Sequence, residues 1–334
     1  VRAPEKPALG REPPPAAGEV ETGVGLATPQ LYREVWVNAE LLPNHHRQHI
    51  FVAGIDPATS RVRGPSAPLS ESLVVTDWGP RWSPDGRSIA FARNAAVEAG
   101  RLSQQTVIHS LATGNDRFLD LIARQWFNDG RCLLYTRNPG MIGGARQRAG
   151  IMRIDIESGK SIEVVSDRFG PVIPSHDDAT LYASAGNAIV AFDVRTGSEV
   201  TRIPLPAASF GANVSYESLS LSPDGRTFAV WTDHGLLRIG IDGTGYRELY
   251  PAEPPDWGTR PVWTRDGRGI LIAVRDDNQL WRLLRVPAAG GTPTFTGLEV
   301  RGYQDFNFAF DVSPDGARIV FDGIAPRILP TSAR

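Results

Sequence analysis

An all-β fold, a six-bladed β-propeller of four-stranded antiparallel blades, is what the sequence predicts, and three observations predict it. The segment Trp82-Ser83-Pro84-Asp85-Gly86-Arg87 recurs at Trp126–Arg131, Leu221–Arg226, Trp263–Arg268 and Val312–Gly316, with a decayed copy at Ile173–Asp178. Each copy runs straight into an apolar stretch, such as Ile89-Ala90-Phe91 or Phe228-Ala229-Val230. The Asp positions 85, 129, 177, 224, 266 and 315 are separated by 44, 48, 47, 42 and 49 residues. That is the length of one four-stranded blade.

The elements follow from the repeat. Ser-Pro-Asp-Gly is a type I turn with Pro at the position that suits its fixed φ and Gly where φ is positive, so it joins two antiparallel strands. The strand after the turn is apolar at nearly every position, which means burial on both faces. A second strand pair follows each hairpin, turning at Ala112–Asn115, Glu157–Lys160, Arg195–Ser198, Asp242–Gly245 and Ala289–Gly291. A sheet of this kind cannot cover both faces by itself, so blades stack around an axis. His49 to Ile55, with its turn at Asp56–Thr59, is a second pair whose first pair is found only at the other terminus, in Phe308 to Asp311 and Ile319 to Phe321. One blade is therefore expected to be sewn from both chain ends. A leftover strand at Glu34 to Val37 leaves seven blades as the alternative.

Residues 1–30 carry six prolines and little to bury, and read as a disordered lead or linker. Residues 31–325 are expected to form one propeller domain, and 326–334 a tail. A net charge of -2 offers no global basic field for nucleic acid or an anionic membrane. There is one cysteine, Cys132, placed in an apolar strand and read as a buried, inert thiol. No signal-peptide pattern and no bilayer-spanning stretch is visible. A G-x-S-x-G elbow is missing, and Gly140, Gly143 and Gly144 lie between strands without the lysine of a phosphate loop. Trp82, Trp126 and Trp263 recur at one blade position and read as packing residues.

At Trp82 to Phe91 the chain resembles the TolB-type propeller family, whose hallmark is a repeated W-S-P-D-G-(R/K)-x-I-A-F segment; the resemblance covers roughly residues 45–323. It implies a propeller that binds a protein or peptide, as the TolB propeller binds the peptidoglycan-associated lipoprotein. It also implies a periplasmic or extracytoplasmic setting, with a cytoplasmic one left open by the missing signal peptide. Family propellers also serve as sensor domains, so a sensor portion of a longer polypeptide is a further reading.

Function on a propeller is carried by loops held on the rigid scaffold. The longer connections converge on one mouth of the channel, and the expected binding residues there are Asp77, Trp78, Asp233, His234, Asp256, Trp257, Arg260, Tyr303 and Asp305. Aromatic and arginine anchors beside charged neighbours are what protein interfaces use. No catalytic residue and no cofactor is assigned, and the chain is expected to be a monomer. The rival reading is a metal-dependent lyase or hydrolase acting on polysaccharide or peptide, with a divalent metal held by His45, His46, His49 and His234.

Overall fold

The computed structural model describes residues 48–70, 75–96, 102–137, 140–142, 145–167, 172–205, 218–251, 259–275, 280–301 and 308–328. Strands β1 (His49–Ile55) and β2 (Val62–Pro68) open the described chain. The first blade is β3 (Val75–Trp82), β4 (Ser88–Ala96), β5 (Leu102–Ser110) and β6 (Asp116–Leu119), paired in that order. The second pairs β7 (Ala123–Trp126), β8 (Cys132–Arg137), β11 (Gly150–Asp155) and β12 (Ser161–Ser166), with the hairpin β9 (Gly140–Ile142) and β10 (Ala145–Gln147) inserted between β8 and β11. The third is β13 (Val172–Pro174) to β16 (Glu199–Pro204) through β14 (Thr180–Ala185) and β15 (Ala188–Asp193). The fourth is β17 (Leu219–Leu221), β18 (Thr227–Thr232), β19 (Gly235–Gly240) and β20 (Arg247–Pro251).

The remaining strands are β21 (Val262–Trp263), β22 (Gly269–Arg275), β23 (Leu280–Pro287), β24 (Thr294–Arg301), β25 (Phe310–Val312) and β26 (Arg318–Ile328). They share one eight-stranded sheet with β1 and β2, because β26 pairs β25, β1 and β24. The expected joint between chain ends is present: Phe51 faces Phe321 and Val52 faces Val320 in register. Beyond Gly323, β26 continues along the edge of β24, with Leu298 opposite Ile328. The last strand thus runs past residue 325, into the segment expected to be a tail. Innermost strands sit beside one another in the sequence β25, β3, β7, β13, β17, β21. The leftover strand expected at 34–37 lies outside the described residues.

The apolar strands after each turn are buried on both faces, as their composition requires: Ile89 to Ala92, Phe228 to Trp231 and Ile270 to Ala273 are all essentially inaccessible. Neighbouring blades bury them against one another. Ala229 and Trp231 of β18, for example, pack on Ile270, Ile272 and Val286. Cys132 is buried in such a strand, and burial pushes its thiol pKa up.

The turns share one hydrogen-bond scheme. Ser83 donates its hydroxyl to Asp85 (2.6 Å), Asp85 accepts the N–H of Arg87 (3.0 Å), Ser83 Oγ accepts the N–H of Ser88 (2.9 Å), and Gly86 sits at φ +69°. Ser222 and Asp224 repeat it. At Asp177, Asp224 and Asp315 the serine hydroxyl, and then a backbone N–H, hold the carboxyl below the usual range. A carboxylate whose folded pKa is depressed stabilises the fold above its unfolded value, near 3.8, and that contribution is lost as pH falls through the folded pKa. The melting temperature is therefore expected to be level above about pH 5 and to fall below about pH 4. A thermal-melt series across that window reads it directly.

The decayed third copy keeps the turn without proline or glycine. Asp178 takes the glycine position at φ +57°, and Ser175 and Asp177 reproduce the scheme. The reason lies one blade back, where Asn128 replaces the turn proline and so retains an N–H. The Asp178 carboxylate accepts the N–H groups of Asn128 and Asp129 and the Asn128 side-chain amide, each at 2.9 Å. Two departures from the repeat thus complete each other across a blade boundary. Asp178→Gly relieves the backbone yet is expected to destabilise by about 1 kcal/mol, because those bonds are lost. Asn128→Pro is expected to cost a similar amount. The double variant, which restores the consensus residues, is expected to return close to the parent in urea unfolding, giving a coupling of opposite sign to the single effects.

Candidate functional site

Of the nine residues expected at the mouth, the structure describes five. Asp256, Trp257, Tyr303 and Asp305 lie outside the described residues, as do His45 and His46. On the mouth side of the first blade β4 and β5 remain paired out to Ala96 and Leu102. The connection between β8 and β11, where Gly140 lies, carries the β9–β10 hairpin, with Met141 opposite Arg146.

Asp77 and Trp78 are corrected from loop to strand: both lie in β3. Asp77 is fully buried, and both of its oxygens accept from Arg93 of β4, at 2.7 Å from Nε and 2.8 Å from the terminal nitrogen. Its own N–H donates to the Gln48 carbonyl, which anchors the chain just ahead of β1. The Asp77 hydrogen bond raises the Arg93 pKa further. Asp77 is thus committed to holding β3 and β4 together and is not an exposed recognition group. Trp78 is half-buried beside it.

Arg260 lies in the connection leading into β21, as expected, but its side chain is turned inward. Its side chain is only 13% exposed and reaches the innermost strands, donating to Asp311 of β25 at 2.8 Å and to Gln125 of β7 at the outer limit of 3.5 Å. The other Asp311 oxygen accepts the N–H of Trp82 (3.0 Å), and Arg81 donates to the Pro80 and Phe310 carbonyls. An innermost strand has one unpaired edge, and these polar groups satisfy it. The network ties β3, β7, β25 and the approach to β21 together through the centre. Asp311 and Gln125 were missed from the sequence. The signal for Asp311 was a lone carboxylate inside the apolar run Phe308 to Val312.

Asp233 and His234 stand where expected, on the short turn joining β18 to β19. His234 is 62% exposed, its Nε2 lies 3.9 Å from Asp233, and its N–H donates to Thr232 Oγ1. His49 opens β1, opposite Gly323 of β26, so it and His234 belong to different sheets. Among the described residues no group of three or more His, Cys, Asp or Glu side chains is placed to hold a metal ion. His109 shares a ring nitrogen with Asp116 at 2.7 Å, a hydrogen bond internal to the first blade. No helix among the described residues is long and apolar enough to cross a membrane.

The Gmad1 family, the lipoprotein LpqB beta-propeller domain, matches residues 192–321. Among solved structures, a putative TolB from Agrobacterium tumefaciens superposes with a TM-score of 0.58 at 17% identity, covering 85% of this chain and 99% of that one. TolB from Acinetobacter baumannii gives 0.52 at 16% identity, covering 87% of this chain and 68% of that one. An oligogalacturonate lyase from Vibrio parahaemolyticus gives 0.45 at 10% identity, covering 86% of this chain and 100% of that one, a likeness too weak to argue from. No curated protein matches the chain.

Proposed function

We propose, on the premise that the chain has the TolB-type β-propeller fold, that it is a six-bladed, non-catalytic propeller that binds a protein or peptide at its long-loop mouth outside the cytoplasm. Six blades are supported by the six turn copies, by the pairing of β1 with β26, and by the side-by-side order of the innermost strands. Turn-to-turn contact supports it too: Gly86 lies against Pro314, Gly225 against His176, Gly267 against Pro223 and Gly316 against Arg265. Each links one turn to the turn of the preceding repeat, and the Gly86 contact links the first to the last.

The observation that carries the binding reading is how the ionisable groups near the mouth are spent. Asp77 with Arg93, and Arg260 with Asp311, are paired in structural roles. His234, 62% exposed, stands with Asp233 on the short turn joining β18 to β19, a placement suited to recognition. The family named by the matching model is a lipoprotein domain, which supports an extracytoplasmic setting.

The test is cross-linking capture from envelope extract with the parent chain and with Asp233→Ala/His234→Ala, combined with Trp257→Ala. The reading expects the specifically captured species to be lost while the melting temperature holds. Unchanged capture by a well-folded variant would remove this mouth as the binding face.

A further inference from the structure

Among the described residues, the boundary between β17–β20 and β21–β24 holds buried hydrogen-bonding atoms without a partner. Ser220, Ala229, Arg238 and Arg247 stand directly opposite one another across β17, β18, β19 and β20, so they form one row on one face of the fourth blade. That face looks toward β21–β24. Its neighbours in sequence on the other face, Leu237 and Ile239, pack toward β13–β16, whereas Ala229 packs on Ile270 and Val286. Arg238 and Arg247 are thus like charges directly opposed across a strand pair, an arrangement that destabilises a sheet unless something compensates it. Arg238 Nε and Ser220 Oγ are buried without a hydrogen-bond partner among the described residues. So is Trp263 Nε1, which lies across the same boundary.

The second blade supplies an internal control. Arg153 holds the same place in β11, in Gly150-Ile151-Met152-Arg153-Ile154, that Arg238 holds in Gly235-Leu236-Leu237-Arg238-Ile239. There the guanidinium donates to Asp129 at 2.9 Å and lies over the Phe127 ring, and the residue opposite is Ile162. In the fourth blade the residue opposite Arg238 is a second arginine, Arg247, where the second blade has Ile162. The Arg247 guanidinium is seated against the turn of the next sheet. A Cβ on Gly290, which is at φ +83°, would fall 2.6 Å from its terminal nitrogen.

From this we infer that Arg238 and Arg247, beside the Gly290 turn, form a binding site for a multiply charged oxyanion, a phosphate or sulfate group. Two guanidinium forks a strand apart match such a group in charge and in geometry. The site lies on the fourth-blade boundary and is independent of the mouth proposed above.

Inorganic phosphate is the probe, titrated at constant ionic strength into the full chain by calorimetry, with phosphoserine and succinate as separate arms. The inference expects saturable binding of phosphate and phosphoserine, at least tenfold weaker binding of succinate, and at least tenfold loss of phosphate affinity in Arg238→Gln and in Arg247→Ile. The latter copies the second blade's pairing and is expected to fold. Arg202→Gln, which removes an exposed charge paired to Glu199, should leave the affinity unchanged. Non-saturable heats, or affinity that survives in Arg247→Ile or falls equally in Arg202→Gln, would overturn the site. Binding of both phosphate and phosphoserine assigns the site to a phosphorylated ligand; binding of free phosphate without phosphoserine would overturn that assignment.

Discussion

A chain ended after Gly316 is expected to lose cooperative folding altogether. The cut removes β26, the strand that β1, β24 and β25 all pair with. It also removes Ile319, Val320 and Phe321, each fully buried, and strips Phe51 and Phe308 of the ring they pack on. Full burial of one such side chain is worth about 1.5–3 kcal/mol, so three of them alone approach the ~5–15 kcal/mol net stability of a domain. In an open sheet such a loss frays one edge. Here the same strand holds both chain ends, so the blades on either side of it each lose a packed neighbour.

A second cut separates closure from mere length. A chain ended after Gly323 keeps the pairing of β26 with β1 and β25 and loses only the extension along β24, where Ile328 packs beside Leu298. It is expected to melt cooperatively at a temperature lowered by several degrees. Thermal melts by circular dichroism distinguish the two. A sharp transition near the parent value in the Gly316-ended chain would refute the joint between the ends.

What could be read from the residues, and what could not, divides along local and non-local lines. The turn chemistry is local: Ser, Pro, Asp and Gly at fixed offsets determine a hairpin whatever surrounds it, so the blades and the terminal joint were legible. Asp178 shows the limit. Its left-handed backbone is maintained by Asn128, fifty residues earlier, and nothing in either segment alone announces the contact. Two of the residues expected at the mouth show the same limit. Asp77 and Arg260 were assigned to the mouth from where the connections of a propeller converge, but their partners, Arg93 and Asp311, lie in other strands. A charge is cheap at the surface and costly inside, and only the partner decides which applies.

That distinction makes the Asp77 pair the second large effect. Asp77→Ala is expected to destabilise by roughly 3–5 kcal/mol, because it leaves Arg93, itself only 16% exposed, without the carboxylate that binds it at two points. Arg93→Ala is expected to cost at least as much, because it leaves the fully buried Asp77 carboxylate without its guanidinium, whereas Asp116, at 3.9 Å from Arg93, keeps His109. Replacing both by Leu and Met is expected to recover most of the loss, as isosteric apolar pairs do for buried ion pairs. The set, read by urea unfolding, also separates the two roles open to Asp77. If it were a recognition residue, Asp77→Ala would weaken partner capture with stability intact, as expected for Asp233→Ala. A structural residue does the reverse, lowering stability first and capture only as the folded fraction falls. The bidentate geometry and complete burial require the second outcome.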